Sequence, residues 1–244
     1  MILSLCSAGD RVSYLSRIWL NPLRSGAQRL IRNPQAMHAA VLGGLSRQPV
    51  QERVLWRLEL RQPYRGELLV LTQSMASWEH LVEQAGWVTA PEPQARTLPY
   101  DSLLARIVPG GEFSFRLRAN PTSSTRTPLK PTAGQTGHLA GPRARGVIVP
   151  HSTALAQSDW LLAHLPAWGF TAVQNTDALA LALVGREKLT FSREPGRPRV
   201  VIQTATYEGR VRISDADLAR QSLLHGVGRA RAYGCGLITL APAL

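Results

Sequence analysis

Hydrophobic residues in this chain recur with two different periods, and the order of the periods constrains the fold more than any other feature. A period of two marks a strand with one buried face, and a period near 3.6 marks a helix. Tyr14 to Leu20 is an apolar-rich run that predicts a strand, ended by the turn-forming Asn21-Pro22. Asn33 and Pro34 then form an N-cap followed by proline at the first helical position. Met37, Val41, Leu42 and Leu45 follow at helical spacing, and Gly43-Gly44 weakens the far end. Val54, Trp56, Leu58 and Leu60 alternate with Arg53, Arg57, Glu59 and Arg61, which predicts a half-buried strand. Gly66 precedes another strand over Glu67 to Gln73, and Trp78 to Ala85 reads as a short helix. Phe113, Phe115 and Leu117 alternate with Ser114, Arg116 and Arg118 as a fourth strand. The order strand, helix, strand, strand, helix, strand is that of the ferredoxin-like or RRM-like βαββαβ unit, an α+β fold.

The pattern recurs in the second half. Val147 to Val149 predicts a strand and Thr153 to Leu165 a helix, with strands over Leu179 to Val184, Lys188 to Phe191 and Val200 to Thr206. Ser214 at an N-cap and Asp217 at the third helical position open a helix carrying Leu218, Leu223 and Leu224. A last strand covers Leu237 to Leu240. Residues 119–146 are rich in Pro, Thr, Ser and Gly and show no hydrophobic period, which predicts a mobile basic connector. The expected organisation is an N-terminal extension over 1–13, a first ferredoxin-like domain over 14–118, the connector over 119–146 and a second ferredoxin-like domain over 147–244. Composition does not separate the second half from another α+β arrangement.

Lys plus Arg number 28 against 16 acidic residues, for a net charge of +12. Arginine-rich composition by itself would spread this excess along the chain. Instead it is concentrated in stretches that contain no acid. Arg11, Arg17, Arg24, Arg29, Arg32 and Arg47 lie in one, Arg116, Arg118, Arg126, Lys130, Arg143 and Arg145 in a second, and Arg220, Arg229 and Arg231 in a third. Arg suits phosphate because its planar fork donates two parallel hydrogen bonds and stays charged. A polyanion such as nucleic acid is the expected partner. Cys6 and Cys235 form no CxxC pair, so neither a structural zinc site nor a disulfide framework is expected, and a reducing cytoplasm fits. No apolar run approaches the roughly 18 residues of a membrane span. The apolar opening over residues 1–6 lacks a basic n-region and is too short for a signal peptide.

Several blocks together resemble one family. Tyr14-Leu-Ser-Arg-Ile-Trp-Leu-Asn-Pro22 and Arg32-Asn-Pro-Gln-Ala-Met-His38 resemble the start of CasE, the CRISPR RNA-processing endoribonuclease of the type I-E Cascade complex. Phe115-Arg-Leu-Arg-Ala-Asn-Pro121 is similar to a segment closing that family's first half, and Tyr207-Glu-Gly209 to its F-E-G turn. Gly226-Val-Gly-Arg-Ala-Arg-Ala-Tyr-Gly-Cys-Gly236 is similar to its glycine-rich loop. The blocks follow the family's order from Tyr14 to the C-terminus, and residues 1–13 lie ahead of its usual start.

The histidines show no HExxH or paired His-Asp spacing, and the acids form no cluster suited to Mg²⁺ or Zn²⁺, so no metal or other cofactor is expected. A phosphodiester nuclease without metal uses the RNA's own 2′-hydroxyl as nucleophile, with protein groups to move protons and neutralise charge. His38 is the best proton carrier: it sits in the first two turns of the helix opened at Asn33-Pro34, with Arg29 and Arg32 nearby. A histidine on a partly apolar helix is also commonly a packed residue. The resemblance implies that His38 is the catalytic histidine, as general base or general acid. It implies cleavage of a CRISPR repeat hairpin at its 3′ base, leaving a 2′,3′-cyclic phosphate and a 5′-hydroxyl. It further implies retention on the mature crRNA beside Cascade backbone subunits. Two positions depart from the family: Gln35 stands where members carry tyrosine, and Gly43 where some carry lysine. Gln35 can hydrogen-bond the 2′-hydroxyl or phosphate but cannot titrate.

Further RNA contacts are expected from three places. Gly226 and Gly228 let backbone approach RNA while Arg229 and Arg231 meet phosphate, the alternative being a tight turn before the last strand. Arg193, Arg197 and Arg199 flank a Pro-Gly turn and could project from a hairpin into an RNA groove, or form an exposed basic turn. Arg116 and Arg118 share a strand face and could extend the same track. The six tryptophans read as core. Two rival classes remain open: a non-catalytic subunit that only holds the hairpin, and a general basic domain binding duplex nucleic acid.

Overall fold

The computed structural model describes residues 12–141, 145–174, 179–193, 196 and 198–243, in two compact units, Met1–Arg106 and Ile107–Leu244. The first unit runs β1 (Tyr14–Leu20), α1 (Ser25–Arg32), α2 (Pro34–Leu42), β2 (Leu55–Gln62), β3 (Arg65–Thr72), α3 (Glu79–Ala85), β4 (Ala95–Pro99) and a single turn α4 (Asp101–Leu104). Its sheet has the order β2-β3-β1-β4, antiparallel throughout, as a ferredoxin-like unit requires. Ile18 and Leu20 of β1, Trp56 of β2, and Leu68 and Val70 of β3 form one cluster with Ala27, Leu30, Met37, Val41, Leu81 and Ala85 of the three longer helices. All three helices therefore cover the same sheet face.

Two elements of this unit carry weak sequence signals. Helix α1 buries only Ala27 and Leu30 and includes Gly26, where a Cβ would lie 2.2 Å from the Gln84 carbonyl oxygen, so only glycine allows this close packing. Strand β4 has mostly polar or half-exposed residues and ends in proline, which an edge strand tolerates. Strand β2 departs from its predicted wet side: Arg57 and Glu59 are both buried and pair at 2.6 Å, which makes their burial tolerable.

The second unit runs β5 (Glu112–Ala119), β6 (Thr122–Thr125), α5 (Ala133–Leu139), β7 (Val147–Pro150), α6 (Ala154–His164), β8 (Phe170–Ala172), β9 (Leu181–Ser192), β10 (Arg199–Ile213), α7 (Ala216–His225) and β11 (Ile238–Pro242). The main sheet has the order β11-β5-β10-β8, with β9 also pairing β10. Strand β5, expected to close the first half, instead pairs with β10 and β11 and is the first strand of this second ferredoxin-like arrangement. Its alternation forms a strand correctly but contains no information on the partner. Phe113, Phe115 and Leu117 are buried, with Phe115 edge-on to Phe170 at 6.2 Å.

The stretch expected to be a connector without regular structure carries elements of its own. Strand β6 pairs with β7, so the predicted strand at Val147 belongs to a separate two-stranded sheet. Helix α5 opens on a reciprocal capping box between Thr132 and Gln135. Strands expected at 179–184 and 188–191 merge into β9: Gly185 pairs with Thr206, and a one-residue register shift at Val184 lets pairing with β10 continue from Leu183. The α7 N-cap is Asp215, which accepts from the N–H groups of Asp217 and Leu218 at 3.0 Å, rather than Ser214.

Tyr207-Glu-Gly209, expected as a turn, lies within β10 next to a register shift. The buried Tyr207 hydroxyl donates to the Gln157 carbonyl at 2.8 Å, tying β10 to α6. Glu208 pairs with Arg116. Gly209 has φ +149°, and a Cβ there would meet the Ala180 carbonyl oxygen at 1.9 Å. Gly209→Ala is therefore expected to lower the unfolding free energy by at least about 2 kcal/mol in a urea titration, through forced backbone movement.

Candidate functional site

The first unit builds its site on α2. Asn33 stands in extended backbone and its Oδ1 accepts from the N–H groups of Gln35 and Ala36, at 3.0 and 3.3 Å, while Pro34 occupies the first turn. The helix buries Met37 and Val41, leaving Gln35 and His38, one turn apart, half-buried. Its start follows the last turn of α1, where Arg29 and Arg32 are exposed. Neither arginine has an ion-pair partner among the described residues.

The Trp56 indole N–H donates to His38 Nδ1 at 3.4 Å. An indole nitrogen can only donate, so Nδ1 must accept and the neutral ring carries its proton on Nε2. Burial lowers the His38 pKa below its ordinary 6.5. The Trp56 bond acts in the same direction, because it favours the neutral ring over the imidazolium. His38 is therefore an uncharged imidazole near neutral pH, with Nε2 left to meet a ligand. At the other end of α2, His80 Nε2 donates to the Ala40 carbonyl at 2.8 Å. Trp56 is core, as its place among the apolar positions of its strand predicts, at 3% exposure. Its second role is not written in the strand pattern, since nothing in the sequence pairs residue 56 with residue 38.

In the second unit the β9–β10 hairpin lies beside the glycine-rich loop. Arg193 Nε donates to the Tyr233 hydroxyl at 2.9 Å, and the Phe191 and Tyr233 rings lie 4.8 Å apart. Arg199 is exposed at the start of β10, opposite Ser192; Arg197 lies outside the described residues. Gly226, Gly228, Gly234 and Gly236 have φ between 67° and 87°, so the loop's path depends on glycine. It is closed by Val227 N–H donating to the Gly236 carbonyl at 3.0 Å and by Gly236 N–H donating to Arg118 at 2.7 Å. Arg229 is exposed there, without an ion-pair partner among the described residues. Arg231 turns inward and donates to the His225 and Gly226 carbonyls at 2.9 and 3.2 Å, capping the end of α7.

Arg116 and Arg118 share one face of β5, opposite its buried phenylalanines, and both are ion-paired. Arg116 pairs with Glu208, and Arg118 with Glu187 at 2.5 Å. The structure thus brings Arg193, Arg199 and Arg229 to one hairpin-and-loop region as exposed cations. It engages Arg116, Arg118 and Arg231 within the fold. Among the described residues no group of three or more His, Cys, Asp or Glu side chains is placed to hold a metal ion, and no helix is long and apolar enough to cross a membrane.

Residues 13–242 match the model of a family described as CRISPR associated protein. Over 237 residues the chain is 29% identical to the CRISPR-associated endoribonuclease Cse3 of Thermus thermophilus, which spans 94% of this chain and 100% of that protein. A structure of Thermus thermophilus Cse3 bound to an RNA representing a pre-cleavage complex aligns with a TM-score of 0.74 at 27% identity, covering 95% of this chain and 100% of the other. The CRISPR-associated protein Cas6e from Escherichia coli shares the fold, with a TM-score of 0.60 at 20% identity over 94% of this chain and 100% of its own.

The contact between Trp56 and His38 is open to direct test. Trp56→Phe keeps most of the packing and removes the donor, so the His38 pKa is expected to move up, followed by ¹H–¹⁵N NMR of the ring nitrogens across pH. The wild-type spectrum should show the Nε2–H form below and above pH 7 once the ring is neutral. A mixture of tautomers in the wild type would contradict the hydrogen bond.

Proposed function

The chain belongs to the CRISPR-associated protein family, and from that premise we propose that it is a CasE-type endoribonuclease that binds the CRISPR repeat hairpin of precursor RNA and cuts once at its 3′ base. The observation that carries this reading is His38, held through Nδ1 by Trp56 on a helix whose start is flanked by Arg29 and Arg32. A relative over nearly the whole chain is a CRISPR-associated endoribonuclease.

In this scheme the 2′-oxygen bonds to the adjacent phosphorus and the bond from phosphorus to the 5′-oxygen breaks. The 2′-hydroxyl loses its proton and the departing 5′-oxygen gains one, leaving a 2′,3′-cyclic phosphate and a 5′-hydroxyl. The RNA supplies its own nucleophile, so the scheme requires no metal ion or small-molecule cofactor. With Nδ1 occupied, the neutral His38 ring offers Nε2–H as a hydrogen-bond donor to the phosphoryl oxygens; giving a proton outright to the departing oxygen needs the imidazolium, since loss of Nε2–H from the neutral ring would leave an imidazolate. Abstraction of the 2′ proton at Nε2 would need the other tautomer and loss of the Trp56 bond, so the resting geometry favours hydrogen bonding to the phosphoryl group. Arg29 and Arg32, unopposed by carboxylates, are positioned on α1 to neutralise phosphate charge, and Gln35 lies one turn before His38 to hydrogen-bond the RNA. Arg193, Arg199 and Arg229 on the second unit hold the hairpin backbone, with Arg197 as a further member of that group. The protein then remains on its product beside the Cascade backbone subunits.

A second reading, a subunit that holds the hairpin without cutting it, is favoured by Gln35 and Gly43. Gly43 has ordinary helical backbone, φ −63° and ψ −16°. A Cβ there would lie 3.4 Å from the Ala40 carbonyl and 3.6 Å from His80 Nε2, which is normal contact. A lysine at this position is therefore compatible with the fold.

Mixing excess protein with the repeat RNA in EDTA separates the two readings. Cleavage by the wild type, blocked by a 2′-deoxy substitution at the cut and reduced about 100-fold or more by His38→Ala, is the expected result. Tight binding without cleavage supports the hairpin-holding subunit. The double variant Gln35→Tyr, Gly43→Lys is expected to raise the single-turnover rate about tenfold by adding a titratable hydroxyl and a cation near His38.

A further inference from the structure

The face of the first sheet opposite the helices carries, on its β1 and β4 side, a cluster that the cleavage scheme does not use. Alternation along β1 sends Ile18 and Leu20 into the core and leaves Arg17 and Trp19 on the other side. The Arg65 guanidinium carbon lies 3.7 Å from the Trp19 ring centroid, and that of Arg17 lies 4.7 Å from it. Arg96 on β4 is the direct register partner of Arg17, so it presents a third guanidinium on the same face. Together with Glu92 and Pro93 these residues line an open recess of about 490 Å³.

Two features of the cluster point to an anionic ligand. Like charges directly opposite on neighbouring strands are destabilising, and Arg17 faces Arg96. Among the described residues, none of the three guanidinium groups has a carboxylate within ion-pairing distance. Glu67, the register partner of Trp19, and Glu92 on the rim are both near and pair with neither. The half-buried Arg65 contrasts with Arg57 and Arg118, which are matched by Glu59 and Glu187. The second feature is preorganisation. Contact with the Trp19 ring restrains two guanidinium groups, and neither has a hydrogen-bond partner among the described residues, which lowers the ordering cost of binding phosphate.

We propose that Arg17, Arg65 and Arg96, arranged around Trp19, form an auxiliary site for the phosphodiester backbone of single-stranded RNA continuous with the bound hairpin. The inference rests on the RNA-processing reading above. A phosphate and a carboxylate both accept the paired N–H edges of a guanidinium; RNA is favoured over an acidic protein because an unstacked base can also lie on the outer face of a guanidinium plane.

The test uses the full chain, a repeat hairpin alone, and the same hairpin with a ten-nucleotide single-stranded extension at either end, each with 2′-deoxy at the cut. Affinities are measured from 50 to 200 mM salt. One of the extensions should tighten wild-type binding and steepen the salt dependence. At about 0.7 per neutralised phosphate for single strands, three contacts correspond to a slope increase of about 2. Arg17→Gln, Arg65→Gln, Arg96→Gln should abolish that increment while leaving hairpin affinity and hairpin cleavage unchanged. Arg96→Gln alone, on an exposed side chain that does not stack on Trp19, should remove about a third of it and guards against misfolding of the triple variant. An increment that persists in the triple variant overturns the site. So does competition at the patch by poly-glutamate when no extension has any effect, which would assign the surface to an acidic protein. Failure of the hairpin itself to bind or be cut would instead overturn the RNA-processing reading.

Discussion

Strand β1 runs through the interior of the first sheet, and its alternation divides the chemistry of that unit in two. Ile18 and Leu20 point to the helices and form the floor on which α1, α2 and α3 pack. Each fully buried side chain of this kind contributes roughly 1.5 to 3 kcal/mol, so the position of α2 is held by several times the energy of any polar contact it makes. His38 inherits its place from that packing, and Trp56, a member of the same cluster, adds direction to it through one hydrogen bond. Arg17 and Trp19 belong to the other side and to a different task. A one-residue slip of β1 would exchange the two sets, placing guanidinium in the core and leucine in water.

Charge compensation sorts the arginines of this protein more sharply than their position in the sequence does. Arg57, Arg118, Arg212 and Arg220 are paired with Glu59, Glu187, Glu112 and Asp217 at 2.5 to 3.0 Å, and Arg116 with Glu208. Arg231 is spent on the carbonyls at the end of α7. Arg29, Arg32, Arg199, Arg229 and the group around Trp19 have no carboxylate partner among the described residues. A guanidinium left without a partner on the surface is hydrated and available, and meeting phosphate there releases counterions without first breaking an internal bond. Arg116 and Arg118 would have to surrender theirs.

The glycine-rich loop shows the same economy in backbone form. Four of its glycines occupy left-handed conformations, and Ala230 joins them at φ 59°. That path lets the loop close on itself through Val227 and Gly236 and turn Tyr233 toward Arg193. The buried Cys235 within it is inert, because burial pushes its thiol up to about 12.

The sequence by itself determined the local facts: the period of each strand, the Asn33-Pro34 start of α2, the excess of arginine and the family likeness carried by short blocks. These are properties of neighbours in the chain, and local sterics and capping decide them. Only the tertiary structure decided partnership. It gave β5 to the second sheet, because alternation specifies a buried face but not the strand that lies alongside. It buried Arg57 with Glu59 on a side that the pattern assigned to water. It found α1 and β4 in stretches too polar or too short to announce themselves, stabilised as they are by the sheet and helices they join. It set Trp56 against His38 and Arg96 across from Arg17, contacts between residues 18 and 79 positions apart. Hydrogen-bond partners at that separation are fixed by how whole elements pack, and no local property of either residue encodes them.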